Sequence, residues 1–213
     1  MGNQDISVLV LIKEFMRGGG PFMWVILSIW LLGMAMSIYK LLSLRRCDVN
    51  TSKVFLAVRG MVVQNNVKEA IEFCSNTKGI VPQVLRAGLK RVNSSKAVME
   101  DAISASIAEL TPKVNYQLSY ISLLANISTL VGLLGTIQGL IVAFASIGSA
   151  DPAEKSKLLA QGISEAMNTT AFGLVSAITI MGLHAVLVGK ATKISNQVDE
   201  AALRLVDLIN AKK

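Results

Sequence analysis

An apolar stretch, ISLLANISTLVGLLGTIQGLIVAFASI, occupies residues 121–147 and contains no charged side chain. An α-helix rises ~1.5 Å per residue, so a bilayer core of ~30 Å needs about 20 apolar residues to be crossed. The stretch is therefore long enough to span a membrane. The uncharged region around it runs from Val114 to Ala150, and we predict one long helix over 114–150 that contains a transmembrane span.

Two more stretches, Gly18–Tyr39 and Ala166–Gly189, also lack Asp, Glu, Lys and Arg. They predict transmembrane helices over 18–39 and 162–189. Of the 213 residues, 52% are hydrophobic and 16% are charged, whereas soluble domains have about 25% charged residues. We therefore predict an all-α integral membrane protein, in which three transmembrane helices accompany a helical cytoplasmic domain. A signal peptide is an alternative interpretation of the first stretch, although such apolar regions usually have only ~7–15 residues.

Lysine and arginine are distributed unevenly along the chain. Two precede the first span, twelve lie in 40–113, two lie between the second and third spans, and five follow the third. Positive charge near span ends marks the cytoplasmic side. We therefore expect the outer side, which is the periplasm in a Gram-negative cell, to hold a segment over 1–17 that suits an amphipathic helix and a hairpin over 151–161. The cytoplasmic side should hold a domain over 40–113 and a C-terminal helix over 190–213. In a Gram-negative cell this topology places the protein in the inner membrane.

The net charge of +7 is explained by this topology. The basic residues also suit contact with anionic membrane lipid. Nucleic-acid binding through the basic 40–113 segment is an alternative, but topology already accounts for the charge, and we expect no nucleic-acid partner.

The charged segments show helical periodicity. In 40–113, the apolar residues fall on helix faces, and Ser94 and Ser95 are candidate N-caps for a helix that Pro112 kinks or restarts. The 190–213 tail repeats the pattern. We expect these apolar faces to pack on one another or on neighbouring subunits.

The sequence offers little for enzymatic or metal chemistry. His184 is the single histidine, and Cys47 and Cys74 are the two cysteines. The carboxylates lie outside the predicted spans or at their ends. We therefore predict no enzyme, no metal site and no cofactor. A histidine within a span can relay protons, but a helix–helix hydrogen bond is the simpler role for His184.

Small residues recur at helical spacing in the second and third spans. They allow another helix to approach closely. Two such rows of small residues indicate either tight packing within one subunit or a surface shared by several subunits. The predicted packing residues are Gly132, Gly135, Gly139, Gly173 and Ala177.

Polar residues accompany these small ones. Glu165 and Asn168 stand near the outer end of the third span, followed by Thr169 and Thr170, and Thr136 lies in the middle of the second. A hydroxyl in a span often bonds to a carbonyl one turn earlier in its own helix. Thr136 and Thr170 on neighbouring helices would alternatively line a hydrated path. Hydroxyls relay protons but do not store them, so such a path needs an ionisable group from a partner.

The motifs Val131-Gly-Leu-Leu-Gly-Thr136-Ile-Gln-Gly139 and Gly162-Ile-Ser-Glu165-Ala-Met-Asn-Thr-Thr170-Ala-Phe-Gly173 resemble the second-span and third-span signatures of the ExbB/TolQ/MotA proton channel family, most closely its ExbB/TolQ branch. The Gly18-Gly-Gly-Pro21 approach to the first span resembles the family as well. Thr129 stands where many members have proline, and Gln138 where many have tryptophan.

The resemblance implies a homopentamer around a dimer of a single-span ExbD/TolR-like partner, whose membrane aspartate carries the proton. A TonB/TolA-like protein is a further implied partner. By this resemblance Thr136, Thr170 and Thr169 line the proton pathway, and Glu165 and Asn168 lie at its periplasmic mouth.

The implied function is a proton-driven motor subunit that powers import, envelope maintenance or gliding motility. A non-conducting scaffold that assembles partners through the small-residue rows is the alternative, and a MotA-like flagellar stator subunit is a further one.

Overall fold

A computed structural model of the chain describes residues 15–16, 18–47, 51–148 and 151–211. The elements with described bounds are helices, in chain order α1 Gly20–Cys47, α2 Thr51–Val63, α3 Val67–Asn76, α4 Ile80–Leu89, α5 Lys96–Asn115, α6 Leu118–Gly148 and α7 Pro152–Asn210. Among the described residues, three helices are long and apolar enough to cross a membrane. The predicted all-α membrane fold with three spanning helices is therefore confirmed.

The chain forms two compact units. The first, which we call the membrane unit, comprises residues 1–37 and 119–184. The second, which we call the charged unit, comprises residues 38–118 and 185–213. Helices α1 and α7 contribute their first parts to the membrane unit and their last parts to the charged unit. The predicted periplasmic segment 1–17 lies almost entirely outside the described residues.

Helix α6 packs against α7 through glycines. A Cβ atom on Gly173 would lie 2.9 Å from the Gly132 Cα and 3.0 Å from the Ser128 carbonyl oxygen. Gly139 is similarly close to Ala166, since a Cβ there would lie 3.0 Å from the Ala166 Cβ. Two helix backbones approach this closely only where neither has a side chain in the contact. The small-residue rows thus pack on each other within one subunit, which was one of the two predicted alternatives.

Helix α1 completes the membrane unit by packing on α7. Gly33 leaves room for the side chain of Ile180, and the Trp30 indole N–H donates a 2.8 Å hydrogen bond to the Thr179 hydroxyl. The bond gives the half-buried Trp30 side chain a polar contact inside the span.

Three predicted boundaries differ in the structure. Pro152 begins α7, so residues 152–161 are helical rather than a hairpin; proline suits the first helical position because that position needs no amide donor. Helix α7 then continues to Asn210 without a separate helix over 190–213. The predicted helix over 114–150 is interrupted, because α5 ends at Asn115 and Gln117 has a positive φ of 75°.

The charged unit has α4 at its centre. Seven of the ten residues of α4 are buried, among them Leu85, and Gly88 lies against Ile103 of α5 and Leu205 of α7. The helix faces that the periodicity of 40–113 indicates lie in α2, α3 and α5, and none of them lies in α4. The predicted cap is confirmed at Ser95, whose hydroxyl accepts a hydrogen bond from the Val98 amide at 3.4 Å.

Lys40 is a buried charge in this unit, with 4% of its surface exposed. Its ammonium group lies 3.4 Å from the carbonyl oxygen of Lys113 in the last turn of α5. Carbonyl groups at a helix C-terminus lack intrahelical donors and carry partial negative charge, which a lysine stabilises. Lys40 thus caps the helix that precedes the break at Gln117.

We expect Gly173→Ala to lower the melting temperature of the detergent-solubilised chain. The added methyl group would meet the backbone of α6, which cannot yield without separating the helices, and overpacking of this kind typically costs ~1–3 kcal/mol. Gly182→Ala in the same helix is the matched control, because a Cβ at Gly182 meets nothing within 4 Å. Equal melting temperatures for the two variants would contradict the packing described for α6 and α7.

The buried thiol of Cys74 predicts a dependence of stability on pH. Burial raises the pKa of Cys74 from 9.0 to about 11, although the positive charge of Arg86 partly opposes the shift. Above pH 9 the unfolded chain loses this proton before the folded chain does, so the free energy of unfolding should fall between pH 9 and 11. Chemical denaturation of the full chain and of Cys74→Ala measures this, and the fall should be smaller in the variant. An equal fall in both proteins would contradict it.

Candidate functional site

The predicted pathway residue Thr170 contacts α6 one helical turn before Thr136, the other predicted pathway residue. The Thr170 hydroxyl donates a 2.9 Å hydrogen bond to the carbonyl oxygen of Gly132 on the neighbouring helix. In an α-helix the amide of residue i+4 donates to the carbonyl of residue i, so the Thr136 amide shares this acceptor. Thr136 and Thr170 are both half-buried. The two threonines therefore lie at the edge of the α6–α7 contact, where both retain some exposure.

The Thr136 hydroxyl donates to the carbonyl oxygen of Leu133 in its own helix at 2.6 Å. The hydroxyl proton of each threonine is thus directed to a carbonyl, whereas the hydroxyl oxygen can still accept a hydrogen bond. A hydroxyl with this arrangement can accept a bond from water or from a donor on another chain. The pair can therefore form part of a hydrogen-bonded chain but holds no proton of its own.

Thr169 differs from the other two threonines. Only 1% of its surface is exposed, and its hydroxyl bonds to the Gly19 carbonyl at 2.7 Å and to the Glu165 carbonyl at 3.0 Å. The Thr169 hydroxyl thus joins α7 to the chain that leads into α1. Its predicted place among the pathway residues stays a prediction.

Glu165 also contacts the start of α1. Its carboxylate lies against Gly20, where a side chain would overlap it, and Gly20 has a positive φ of 65° that favours glycine. This close approach explains the glycine at position 20, and a Cβ on Gly19 would meet the side chain of Met23. Glu165 and Asn168, predicted to lie at one end of the pathway, are both half-buried.

A cavity of about 290 Å³ adjoins Glu165 inside the membrane unit. Glycines of α6 leave much of this space open. The polar groups around it are the Glu165 carboxylate, the Thr169 hydroxyl, the Ser146 hydroxyl and the amides of Gln138 and Gln161. A cavity of this volume with several polar groups around it can hold ordered water. Gln138, which lies in the second-span motif, supplies one of these polar groups.

Sequence reasoning missed a serine pair between α6 and α7. Ser128 and Ser176 are fully buried, and the Ser128 hydroxyl lies 2.8 Å from the Ser176 hydroxyl. Ser128 stands one turn before Gly132, and Ser176 stands one turn after Gly173. Extending the rows of small residues by one turn would have found both. The pair continues the same contact with hydrogen bonding in place of glycine packing.

The remaining predicted residues have simpler environments. Gly132, Gly135, Gly139 and Gly173 lie in the contacts between helices of the membrane unit, whereas Ala177 is half-buried in α7. His184 is half-buried near the end of the membrane unit. Among the residues that the structure describes, no three His, Cys, Asp or Glu side chains converge to hold a metal ion.

Comparison with known proteins agrees with this architecture. A protein of Methanothermobacter thermautotrophicus, named as a biopolymer transport ExbB homolog, is 26% identical over 200 residues that cover 93% of this chain and 69% of that protein. Biopolymer transport protein exbB1 of Vibrio cholerae is 37% identical over 83 residues, which cover 39% of this chain and 36% of that protein. Residues 76–200, more than half of the chain, match the sequence profile of the MotA/TolQ/ExbB proton channel family. This all-α, multi-pass membrane protein belongs to the MotA/TolQ/ExbB proton channel family.

Proposed function

We propose that this chain is an ExbB/TolQ-like subunit of an inner-membrane motor that converts the proton motive force into work. Five copies surround a dimer of a single-span ExbD/TolR-like partner, whose membrane aspartate carries the proton. The N-terminus faces the periplasm and the C-terminus the cytoplasm. The hydrogen bond from the Thr170 hydroxyl to the Gly132 carbonyl, one helical turn before Thr136, is the observation that supports this proposal most directly.

The charge distribution supports the need for a partner. From Ala166 to Gly189 the chain has no Asp, Glu, Lys or Arg, and Val114–Ala150 has none either. A charge that crosses ~100 mV releases ~2.3 kcal/mol, but a carrier that binds and releases the proton is needed to use it. Hydroxyls alone do not store protons, so the carboxylate comes from another chain. Thr136 and Thr170 then relay the proton to and from it.

Glu165 and its cavity supply the outer end of the pathway in this proposal. A carboxylate beside a polar cavity attracts protons and holds water near them. Thr169 supports this end structurally, since it fixes the turn before α1 through the Gly19 carbonyl. Asn168 stands next to Thr169 in α7, one turn after Glu165. The proton is the transported ion, and the mechanism uses no cofactor.

The packing of the glycines bears on the alternative of a non-conducting scaffold. That alternative depended on the rows of small residues being free to bind partners. The structure uses Gly132, Gly139 and Gly173 inside the subunit, so these residues are not available for a partner helix. A TonB/TolA-like protein would instead reach the motor through the single-span partner.

The first test is the identity of the partner. The tagged full-length chain, purified from its native membrane in mild detergent, should carry a single-span protein with an aspartate in its span, identified by mass spectrometry. Native mass spectrometry should give a ratio of five copies of this chain to two of the partner. A complex that lacks such a protein would contradict the proposed motor.

The second test is proton flux through the purified complex in liposomes under an imposed potential. Thr170→Val removes the hydroxyl with little change in volume, and we expect the flux to fall by about tenfold or more, as for loss of a proton-transfer group. Thr170→Ser should retain most of the flux. Thr129→Val is the matched control, because the Thr129 hydroxyl bonds only weakly to a carbonyl of its own helix, at 3.4 Å.

Assembly must be measured in the same samples. If Thr170→Val retained full flux in normally assembled complex, Thr170 would not be on the pathway. If the unsubstituted complex conducted no protons, the scaffold alternative would be favoured.

A further inference from the structure

Asn126 is an exposed polar side chain deep in the membrane unit. It lies in α6 two residues before Ser128, whose hydroxyl bonds to the Ser176 hydroxyl on α7. Ser176 stands near the centre of Ala166–Gly189, a stretch of α7 without Asp, Glu, Lys or Arg. The level of Asn126 along the spans is therefore far from the charged residues that mark their ends.

The Asn126 carboxamide has no hydrogen-bond partner among the residues that the structure describes. A carboxamide has two N–H donors and an acceptor oxygen. Hydrocarbon offers these groups no partner, so polar side chains within spans face other protein groups or a water-filled cavity. Since the side chain is exposed on this subunit, we expect its partners to be water or groups of another chain.

Asn126 shares one flank of α6 with Thr136. Successive residues of an α-helix point about 100° apart, so Asn126, ten residues before Thr136, points about 80° from it. In the same direction, Thr129 and Ser122 point about 20° and about 40° from Thr136. Asn126 and Thr129 are exposed, and Ser122 is half-buried. We call Ser122, Asn126 and Thr129 the inner polar row.

The flank differs in character on the two sides of Thr136. Toward the outer end of the span, its exposed residues are the apolar Leu140 and Phe144. Toward the inner end, Leu133 is followed by the inner polar row. Polar side chains thus continue from Thr136 only inward, over about 21 Å of helix to Ser122.

The flank that holds Thr136 and Thr170 faces away from α1. Thr179 on α7 bonds to Trp30 of α1, and Thr170, nine residues before Thr179, points about 180° from it. Thr170 and Thr136 lie at one edge of the α6–α7 contact, because the Thr170 hydroxyl bonds to α6 one turn before Thr136. Helix α1 therefore does not cover the inner polar row.

A row of polar residues suits water better than it suits a bond to a neighbouring helix. One interhelical hydrogen bond needs a single polar residue, whereas Ser122 and Thr129 extend the polar surface over about 10 Å around Asn126. Water molecules that bridge polar groups form such chains. The row begins beside Thr136, which the proposed function places on the proton pathway.

We propose that the inner polar row lines a water-filled inner half of the proton pathway, in which Asn126 binds the water. This inference rests on the proposed motor and names residues between the partner's carboxylate and the cytoplasm. Each water molecule accepts one proton and gives another to the next, so the Asn126 amide is unchanged by the transfer. Thr129→Val keeps the volume of that side chain and the Asn126 amide, so it leaves this water in place.

The first test is the labelling of Asn126→Cys in the assembled complex. Inverted membrane vesicles, whose outer surface is the cytoplasmic face, are treated with a small charged methanethiosulfonate reagent. The reagent forms a mixed disulfide with a thiolate, which forms in water but not in hydrocarbon. We expect the cysteine at position 126 to be labelled. Peptide mass spectrometry locates the label, so that Cys47 and Cys74 are counted separately.

Leu31→Cys is the matched control for labelling. Leu31 is 55% exposed and stands beside the exposed Leu32 on α1. It adjoins Trp30, whose bond to Thr179 gives it a depth similar to that of Asn126. A thiol at this apolar surface should face lipid. We expect Asn126→Cys to be labelled at least about tenfold faster than Leu31→Cys.

The second test is proton flux through the purified complex in liposomes. Asn126→Leu replaces the amide with an apolar group of similar size and should lower the flux about fivefold or more, whereas Asn126→Ser should retain most of it. The charged label on Asn126→Cys should also lower the flux, and a reductant that removes the label should restore it. A role in helix packing alone would not give this reversible response.

The outcomes separate this inference from the proposed function. A complex that conducts protons while Asn126→Cys stays unlabelled would overturn the inference alone, because another chain or lipid would then cover the row. Full flux through normally assembled Asn126→Leu complex would also overturn it. A complex that lacks a single-span partner and conducts no protons would overturn the proposed function, even where labelling of Asn126→Cys shows that the row is hydrated.

Discussion

The close approach of α6 and α7 is the contact on which the membrane unit depends. Gly132 and Gly173 bring the two backbones together, and this nearness places the Thr170 hydroxyl within 2.9 Å of the Gly132 carbonyl. Lipid tails provide no hydrophobic force that drives spans together, so packing and hydrogen bonds hold them. Larger side chains at these glycines would separate the helices and remove the bond between Thr170 and Gly132. The same two glycines therefore determine both the packing of α6 on α7 and the position of the Thr170 hydroxyl.

The distribution of ionisable groups explains why the subunit is incomplete by itself in the proposed motor. The spans provide hydroxyls, amides and carbonyls, whereas Glu165 adjoins a polar cavity near one end. A buried charge in the middle of a span is expensive without a partner. In the proposed motor the partner supplies this charge, so the pathway is complete only in the complex.

The charged unit follows different physical rules. Its core is apolar, centred on α4, and Lys40 is buried because the C-terminal carbonyl groups of α5 accept its charge. Its exposed apolar residues include Leu56, Val63 and Leu203. Exposed apolar residues of the membrane unit suit contact with lipid, whereas those of the charged unit lie among charged side chains such as Lys53 and Asp199.

The sequence by itself determined the spans, because uncharged stretches of this length have few other stable solutions, and its motifs indicated the family. It also predicted the Ser95 cap, which depends on local bonding. Only the tertiary structure decided that the glycine rows face each other within one subunit, and that Thr169 is buried while Thr170 and Thr136 retain exposure. Thr169 and Thr170 are adjacent in the sequence, but their side chains point about 100° apart on α7. Thr136 lies on a different helix, α6. Which of these side chains contacts another helix depends on how helices distant in the chain pack together. The local sequence pattern does not predict that packing.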